Sequence, residues 1–201
     1  MQRTAIFLDR DGVLNQSIVK NGKPYPPSTL SELIIPDDVI PALKLLKVLG
    51  YLLIVVTNQP DVARGSTTRS MVESINSALL EKLPLDEILV CYHDDKDNCT
   101  CRKPLPGLLI SAAQKHHINL ESSFMIGDRW KDIAAGQNAG CKTIWLDNNY
   151  EEQKPKLPNF TATSLIEAAL WIQHSKISSH INLSQGNQSE DSSRLKSKDI
   201  C

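Results

Sequence analysis

Four short motifs in this chain of 201 residues carry side chains that could do chemistry. Asp9-Arg10-Asp11-Gly12 sets two carboxylates two residues apart, with a glycine behind them that lets the chain turn sharply. Two acids that close repel. A hard divalent cation such as Mg2+, which takes few carboxylates, several waters and a substrate phosphate, would relieve them. An Asx turn followed by a solvated Asp is the plainer alternative. Thr57-Asn58-Gln59 offers a hydroxyl and two amides, and Arg102-Lys103-Pro104 offers two cations beside a restrained backbone. Gly127-Asp128-Arg129-Trp130-Lys131-Asp132 brings two more carboxylates, four residues apart. Taken singly, these last three read as a polar turn, a solvated basic turn and a helix cap.

A fifth group is of another kind. Cys91, His93, Cys99 and Cys101 place three thiols and an imidazole within eleven residues. Cys3His is a closed tetrahedral zinc set. The stretch between them, Asp94-Asp95-Lys96-Asp97-Asn98, has nothing apolar with which to order itself. Zinc would order that loop and fix Arg102 and Lys103, which follow the last ligand directly. With no open coordination position, it would be structural and not the catalytic metal.

The elements that must position these motifs follow from hydrophobic pattern. Apolar runs at 4–8, 52–56, 88–91, 124–126 and 143–146 read as strands buried on both faces. Helical patterns lie at 39–49, 67–82, 108–116, 133–139 and 164–174, the second with Ser66 as its cap. Strands alternating with helices predict an α/β fold, a doubly wound parallel sheet with right-handed crossovers. Ligands of such sheets bind beyond the carboxyl ends of the strands, which is where the chemical motifs fall. Four independent turns would not be expected to line up there in chain order.

With 22 Lys+Arg against 23 Asp+Glu, the chain has no basic field to hold nucleic acid or an anionic membrane. No apolar run reaches the roughly 18 to 20 residues of a bilayer span, and the first residues lack a signal-peptide pattern, so the expected location is cytoplasmic. Five cysteines in such a compartment read as thiols or metal ligands. Residues 174–201 contain eight serines and no aromatic residue, and are expected to be a disordered tail behind a domain at 1–173.

The series FLDRDGVLN, VVTNQ, RKP and GDRWKD resembles the four motifs of the haloacid dehalogenase superfamily of phosphotransferases, over about residues 4–146. The resemblance implies Asp9 as the nucleophile that forms an aspartyl-phosphate and Asp11 as the general acid and base. It implies Thr57, Asn58 and Lys103 as holders of the substrate phosphate, and Asp9, the backbone carbonyl of Asp11 and Asp128 as Mg2+ ligands. Asp132 would orient Lys103 or a metal-bound water. The presence of Asp11 favours phosphate-ester over carbon–halogen chemistry. The pattern C-x-H…C-x-C-R-K-P resembles the branch that contains the heptose-bisphosphate phosphatases and their near relatives, the histidinol-phosphate phosphatases. TNQPDVARG and RKPLPG are closer to the heptose members, although Pro60-Asp61 stands where those have Ser-Gly. The five-residue gap in the cysteine loop is closer to the histidinol form.

The implied protein is a monomeric phosphatase with no large cap domain, a zinc-stabilised loop, and Mg2+ and Zn2+ as cofactors. Its implied substrate is a small phosphorylated metabolite, a heptose 1,7-bisphosphate or alternatively histidinol phosphate. A non-catalytic or nucleic-acid-end-binding relative is the alternative from another class. Arg102 and Arg129, each beside a motif, are the expected anchors for a second anionic group.

Overall fold

The computed structural model describes residues 2–178. The described chain runs β1 (Ala5–Leu8), β2 (Ile18–Lys20), β3 (Lys23–Tyr25), α1 (Val39–Val48), β4 (Leu52–Asn58), α2 (Arg69–Lys82), β5 (Glu87–Cys91), α3 (Gly107–His116), β6 (Phe124–Gly127), α4 (Trp130–Asn138), β7 (Lys142–Leu146) and β8 (Phe160–Ala162). Residues 165–178 are helical and form α5. Residues up to Ala169 belong to one compact unit, and the chain from Leu170 to a second, of which 170–178 are described. The helix expected at 164–174 thus continues four residues further, and the rest of the expected tail lies outside the described residues.

β1 is apolar and fully buried at every position, as a strand covered on both faces must be. It sits inside a six-stranded sheet of order β5-β4-β1-β6-β7-β8, whose pairs are all parallel. The chain leaves β1 toward β4 and β5, then returns to the other side for β6, β7 and β8. Right-handed crossovers therefore put α1 and α2 on one face and α3 and α4 on the other. The second face packs Leu108, Leu109, Ala112 and Ala113 of α3 against Phe7, Ile54 and Val56. The order reverses between β1 and its neighbours, so a crevice opens at the carboxyl ends of β4, β1 and β6. Leu8 is level with Val55 and Ile126, which puts Asp9 at the rim and lets β4 run on to Thr57 and Asn58.

Three local departures from the sequence pattern have physical causes. Asn21 and Gly22, both at positive φ (50° and 70°), turn the chain between β2 and β3, so the stretch after β1, for which the apolar pattern shows no strand, carries a hairpin; Asn-Gly is the residue pair such turns need. Pro24 is tolerated because the ribbon has only two strands. α2 is capped by the Thr68 hydroxyl, which accepts from the Met71 amide at 3.2 Å, and not by Ser66. α4 begins at Trp130, ahead of the expected 133, because the Asp132 carboxylate accepts the Arg129 amide at 2.9 Å and closes the first turn. β8, three residues at the sheet edge, is too short for any periodicity to announce. Between β1 and α1 the only elements are the hairpin and a single 3-10 turn at Leu30–Glu32, so there is no large cap.

Candidate active site

The register brings Asp9, Asp128, Asp132 and Lys103 together. Asp9 follows β1, Asp128 follows β6, Asp132 is in the first turn of α4, and Lys103 comes from the stretch between β5 and α3. Lys103 is 2% exposed, and its ammonium spans Asp9 Oδ1 at 2.8 Å, Asp132 Oδ1 at 2.6 Å and the Val56 carbonyl at 2.8 Å. Burial alone would lower its pKa, but Asp132 and Asp9 reverse that and hold it above the ordinary lysine value. Asp9 is pushed up to about 6 by burial and by Asp132, against the pull of Lys103. Its Oδ1 takes the Arg10 amide (2.8 Å) as well as Lys103, and no donor among the described residues is directed to Oδ2.

Asp128 has the most exposed need. It is 3% solvent-accessible, yet neither carboxylate oxygen has a hydrogen-bond partner. Burial, Asp132 and Asp9 raise its pKa well above the usual range; the Tyr150 hydroxyl stands nearby and eases this slightly without closing a bond of good geometry. An ionised carboxylate buried without donors is costly. Asp9, Asp128 and Asp132 each offer an oxygen within 4.8 Å of the others. Asp132 already serves Lys103 and the Arg129 amide, which leaves Asp9 and Asp128 for a cation. Three acids against one ammonium leave two negative charges, and a hard divalent ion fits both the charge and the oxygen donors. The backbone makes room for this crowding: a Cβ on Gly12, at φ +84°, would run into Asp128 Oδ2, and one on Gly127 into the Asp132 side chain.

Asp11 lies at the same cleft with both oxygens gripped. Arg10 donates from Nε to Oδ1 and Oδ2 (3.2 Å each) and from Nη2 to Oδ2 (3.0 Å), Asn15 to Oδ1 (3.0 Å) and Gln59 to Oδ2 (2.8 Å). The same Gln59 amide reaches Thr57 Oγ1 at 2.9 Å. Asn58 lines the cleft, and its amide pairs with Lys103, giving to its carbonyl and receiving its N–H at 3.1 Å each. It fixes the lysine backbone with one N–H and its carbonyl, and the second N–H of the amide is not used in that pair.

The cysteine cluster closes as well. Cys91, Cys99 and Cys101 have Sγ atoms 3.1, 3.5 and 3.7 Å apart, and His93 Nδ1 lies 3.6 and 3.3 Å from Cys91 and Cys101. A tetrahedron with Zn–S arms of about 2.3 Å has edges of about 3.8 Å, so four donors spaced in this way suit zinc. Burial and the neighbouring thiols push the Cys91 thiol up, a crowding that a bound cation would relieve. A Cβ on Gly107 would strike the Thr100 carbonyl, so α3 can pack directly on this loop and Lys103 is held between the two.

The cleft itself measures about 240 Å3. Arg129 lines it, with its guanidinium paired to Glu152 at 2.8 and 2.6 Å. Arg102 does not. Its Nε is drawn to Asp95 Oδ1 at 2.7 Å, and it lines a smaller cavity with Asp94, Asp95 and Cys99. The loop's own carboxylate, adjacent only once the loop is folded, holds it beside the residues of that smaller cavity. Lys23, Arg64 and Lys131 do line the cleft. Arg10 and Gln59 were missed, although a charged residue inside a strand-end acid pair was a signal to be read.

Comparison with known proteins agrees with this chemistry. The HAD-hydrolase-like family model matches residues 100–168. The D-glycero-beta-D-manno-heptose-1,7-bisphosphate 7-phosphatase of Helicobacter pylori is 41% identical over 148 residues, covering 71% of this chain and 82% of that one. The enzyme of the same name from Escherichia coli is 36% identical over 154 residues, covering 70% and 78%. Among solved structures, the D,D-heptose 1,7-bisphosphate phosphatase of B. bronchiseptica, complexed with magnesium and phosphate, superposes with a TM-score of 0.73 at 25% identity and covers 86% of this chain and 99% of its own. With identity of that order across most of both chains, and with the four motifs at the strand ends, this protein belongs to the HAD-like hydrolases, in the family of these phosphatases.

Proposed function

We propose that this protein is a Mg2+-dependent phosphomonoester hydrolase that removes the 7-phosphate of a D-glycero-D-manno-heptose 1,7-bisphosphate, in the making of nucleotide-activated heptose for lipopolysaccharide. The observation that carries the reading is the convergence of Asp9, Lys103, Asp128 and Asp132 at one crevice, in a chain whose relatives bear that activity in their names. In this reading it acts in the cytoplasm, as a monomer, through a catalytic domain at 1–173.

Asp9 Oδ2, the oxygen with no protein donor, attacks phosphorus and forms an aspartyl-phosphate, splitting hydrolysis into two displacements. Asp11 gives a proton to the departing oxygen and later takes one from the attacking water. As the charge of Asp9 passes into the new P–O bond, the Lys103 ammonium is released from Oδ1 to the phosphoryl oxygens, where charge remains; Thr57 joins it there. Asp132, braced on the first turn of α4, keeps Lys103 in register. Mg2+, held by Asp9, the Asp11 carbonyl and Asp128, would supply neutralising charge at the phosphoryl group. A second anionic group would meet the cations that line the same cleft, Lys23, Arg64, Arg129 and Lys131. Zinc in the cysteine cluster would hold the loop that carries Lys103.

Histidinol phosphate is the competing substrate, favoured by the five-residue gap between His93 and Cys99. With both compounds assayed side by side in Mg2+, the bisphosphate should react faster by about tenfold or more and yield the 1-phosphate. A tenfold preference for histidinol phosphate would sink the heptose reading. Asp128→Asn removes the unpartnered charge, so the variant should be at least as stable as its parent without metal, while losing both activity and the rise in melting temperature that Mg2+ gives the parent. A variant that keeps the Mg2+-dependent rise would contradict the ligand assignment. Elemental analysis should find one zinc per chain, and Cys99→Ser should lower both zinc content and activity. Unchanged zinc and activity in that variant would rule out the structural site.

A further inference from the structure

Arg10 stands between the two acids of the first motif, and no step above uses it. Its side chain is entirely buried, a placement that is costly for a guanidinium unless its donors are met. They are met in two directions. Nε and Nη2 grip both oxygens of Asp11, while Nη1 reaches Asn76 Oδ1 on α2 at 2.9 Å. Asn76 is itself only 7% exposed, so the guanidinium is braced from behind by a helix. Asn15 and Gln59 complete the ring of donors around Asp11, and Gln59 ties it to Thr57.

A carboxylate held on both oxygens by a planar fork has one orientation available to it. The donors also match the charge that the reaction creates. When Asp9 Oδ2 bonds to phosphorus and the ester P–O bond breaks, the leaving oxygen takes the Asp11 proton. The anion left on Asp11 then has its hydrogen-bond partners already in place, with no reorganisation needed. We propose that Arg10 is a positioning residue for this reaction: braced by Asn76, it fixes the Asp11 carboxylate at the cleft and stabilises the anion that proton donation leaves there. The proposal rests on the reading of Asp11 as the acid, and its test separates the two.

The readout is dependence on the leaving group. An alkyl phosphate needs the proton, because an alkoxide leaves poorly; 2,4-dinitrophenyl phosphate does not, because its phenolate leaves unaided. In the full chain with Mg2+, Arg10→Met should lower kcat on an alkyl phosphate by roughly ten- to a hundredfold, within what a positioned acid contributes, and by far less on dinitrophenyl phosphate. Arg10→Lys, with a point charge in place of the fork, should recover part of the loss. Asp11→Asn, run in parallel, should show the same selectivity in larger measure. If Asp11→Asn is selective and Arg10→Met loses equally on both substrates, or on neither, the proposal is overturned. If Asp11→Asn itself is unselective, the acid assignment fails and the proposal with it. Should Arg10→Met not fold, Asn76→Leu withdraws only the brace; a smaller loss confined to the alkyl phosphate supports the proposal, and an unselective or absent effect overturns it.

Discussion

Three buried carboxylates share one ammonium, and much of the molecule is arranged around that imbalance. Unit charges about 4 Å apart interact by about 4 kcal/mol at an effective dielectric of 20, so the mutual repulsion of Asp9, Asp128 and Asp132 is large on the scale of folding stability. Lys103 touches two of them and not the third. The unmet remainder shows in Asp128, whose oxygens have no partner and whose pKa is driven upward. A divalent cation and a dianionic phosphoryl group are the species such a site can take together. The sheet supplies the crowding by ending β1 and β6 at the same level, and Gly12 and Gly127 supply the space.

Lys103 and Arg10, both buried, have separate tasks in the proposed mechanism. In that mechanism Lys103 serves the phosphoryl side; it is reached through the cysteine loop, with Cys101 two residues before it and Gly107 fitted against Thr100 after it. The exterior of that loop is gathered by Arg64 to Asp94 and by Arg102 to Asp95, so whatever orders the loop also orders the lysine. Arg10, proposed to serve the leaving-group side, is anchored through Asn76 of α2 on the opposite face of the sheet. Each charge is thus steadied from a different layer of the fold.

The residues legible in the sequence were those whose meaning is set by their place on a strand. Asp9, Thr57 and Asp128 follow apolar runs directly, and an acid or hydroxyl at the tip of a buried parallel strand faces the crevice whatever else surrounds it. Arg10 and Gln59 could not be read in that way, because their partners are chosen by folding: Asn76 lies 66 residues from Arg10 and Asp11 lies 48 from Gln59. The partner of Arg102 is likewise chosen by folding. Next to the motif lysine it suggests an anion anchor, and Asp95, the carboxylate that pairs with it, comes within reach only when the loop folds back. Asn21-Gly22 was a readable turn signal, whereas β8 is three residues long and owes its pairing to β7 beside it.

In the proposed mechanism Asp9 takes the phosphoryl group covalently before water does, and the stereochemical course at phosphorus tests this most directly. Hydrolysis of a substrate bearing a chiral, isotopically labelled phosphoryl group should proceed with net retention, because two in-line displacements, first by Asp9 and then by water, each invert the centre. Net inversion would mean that water attacks phosphorus in a single step, and Asp9 would then be a metal ligand and nothing more.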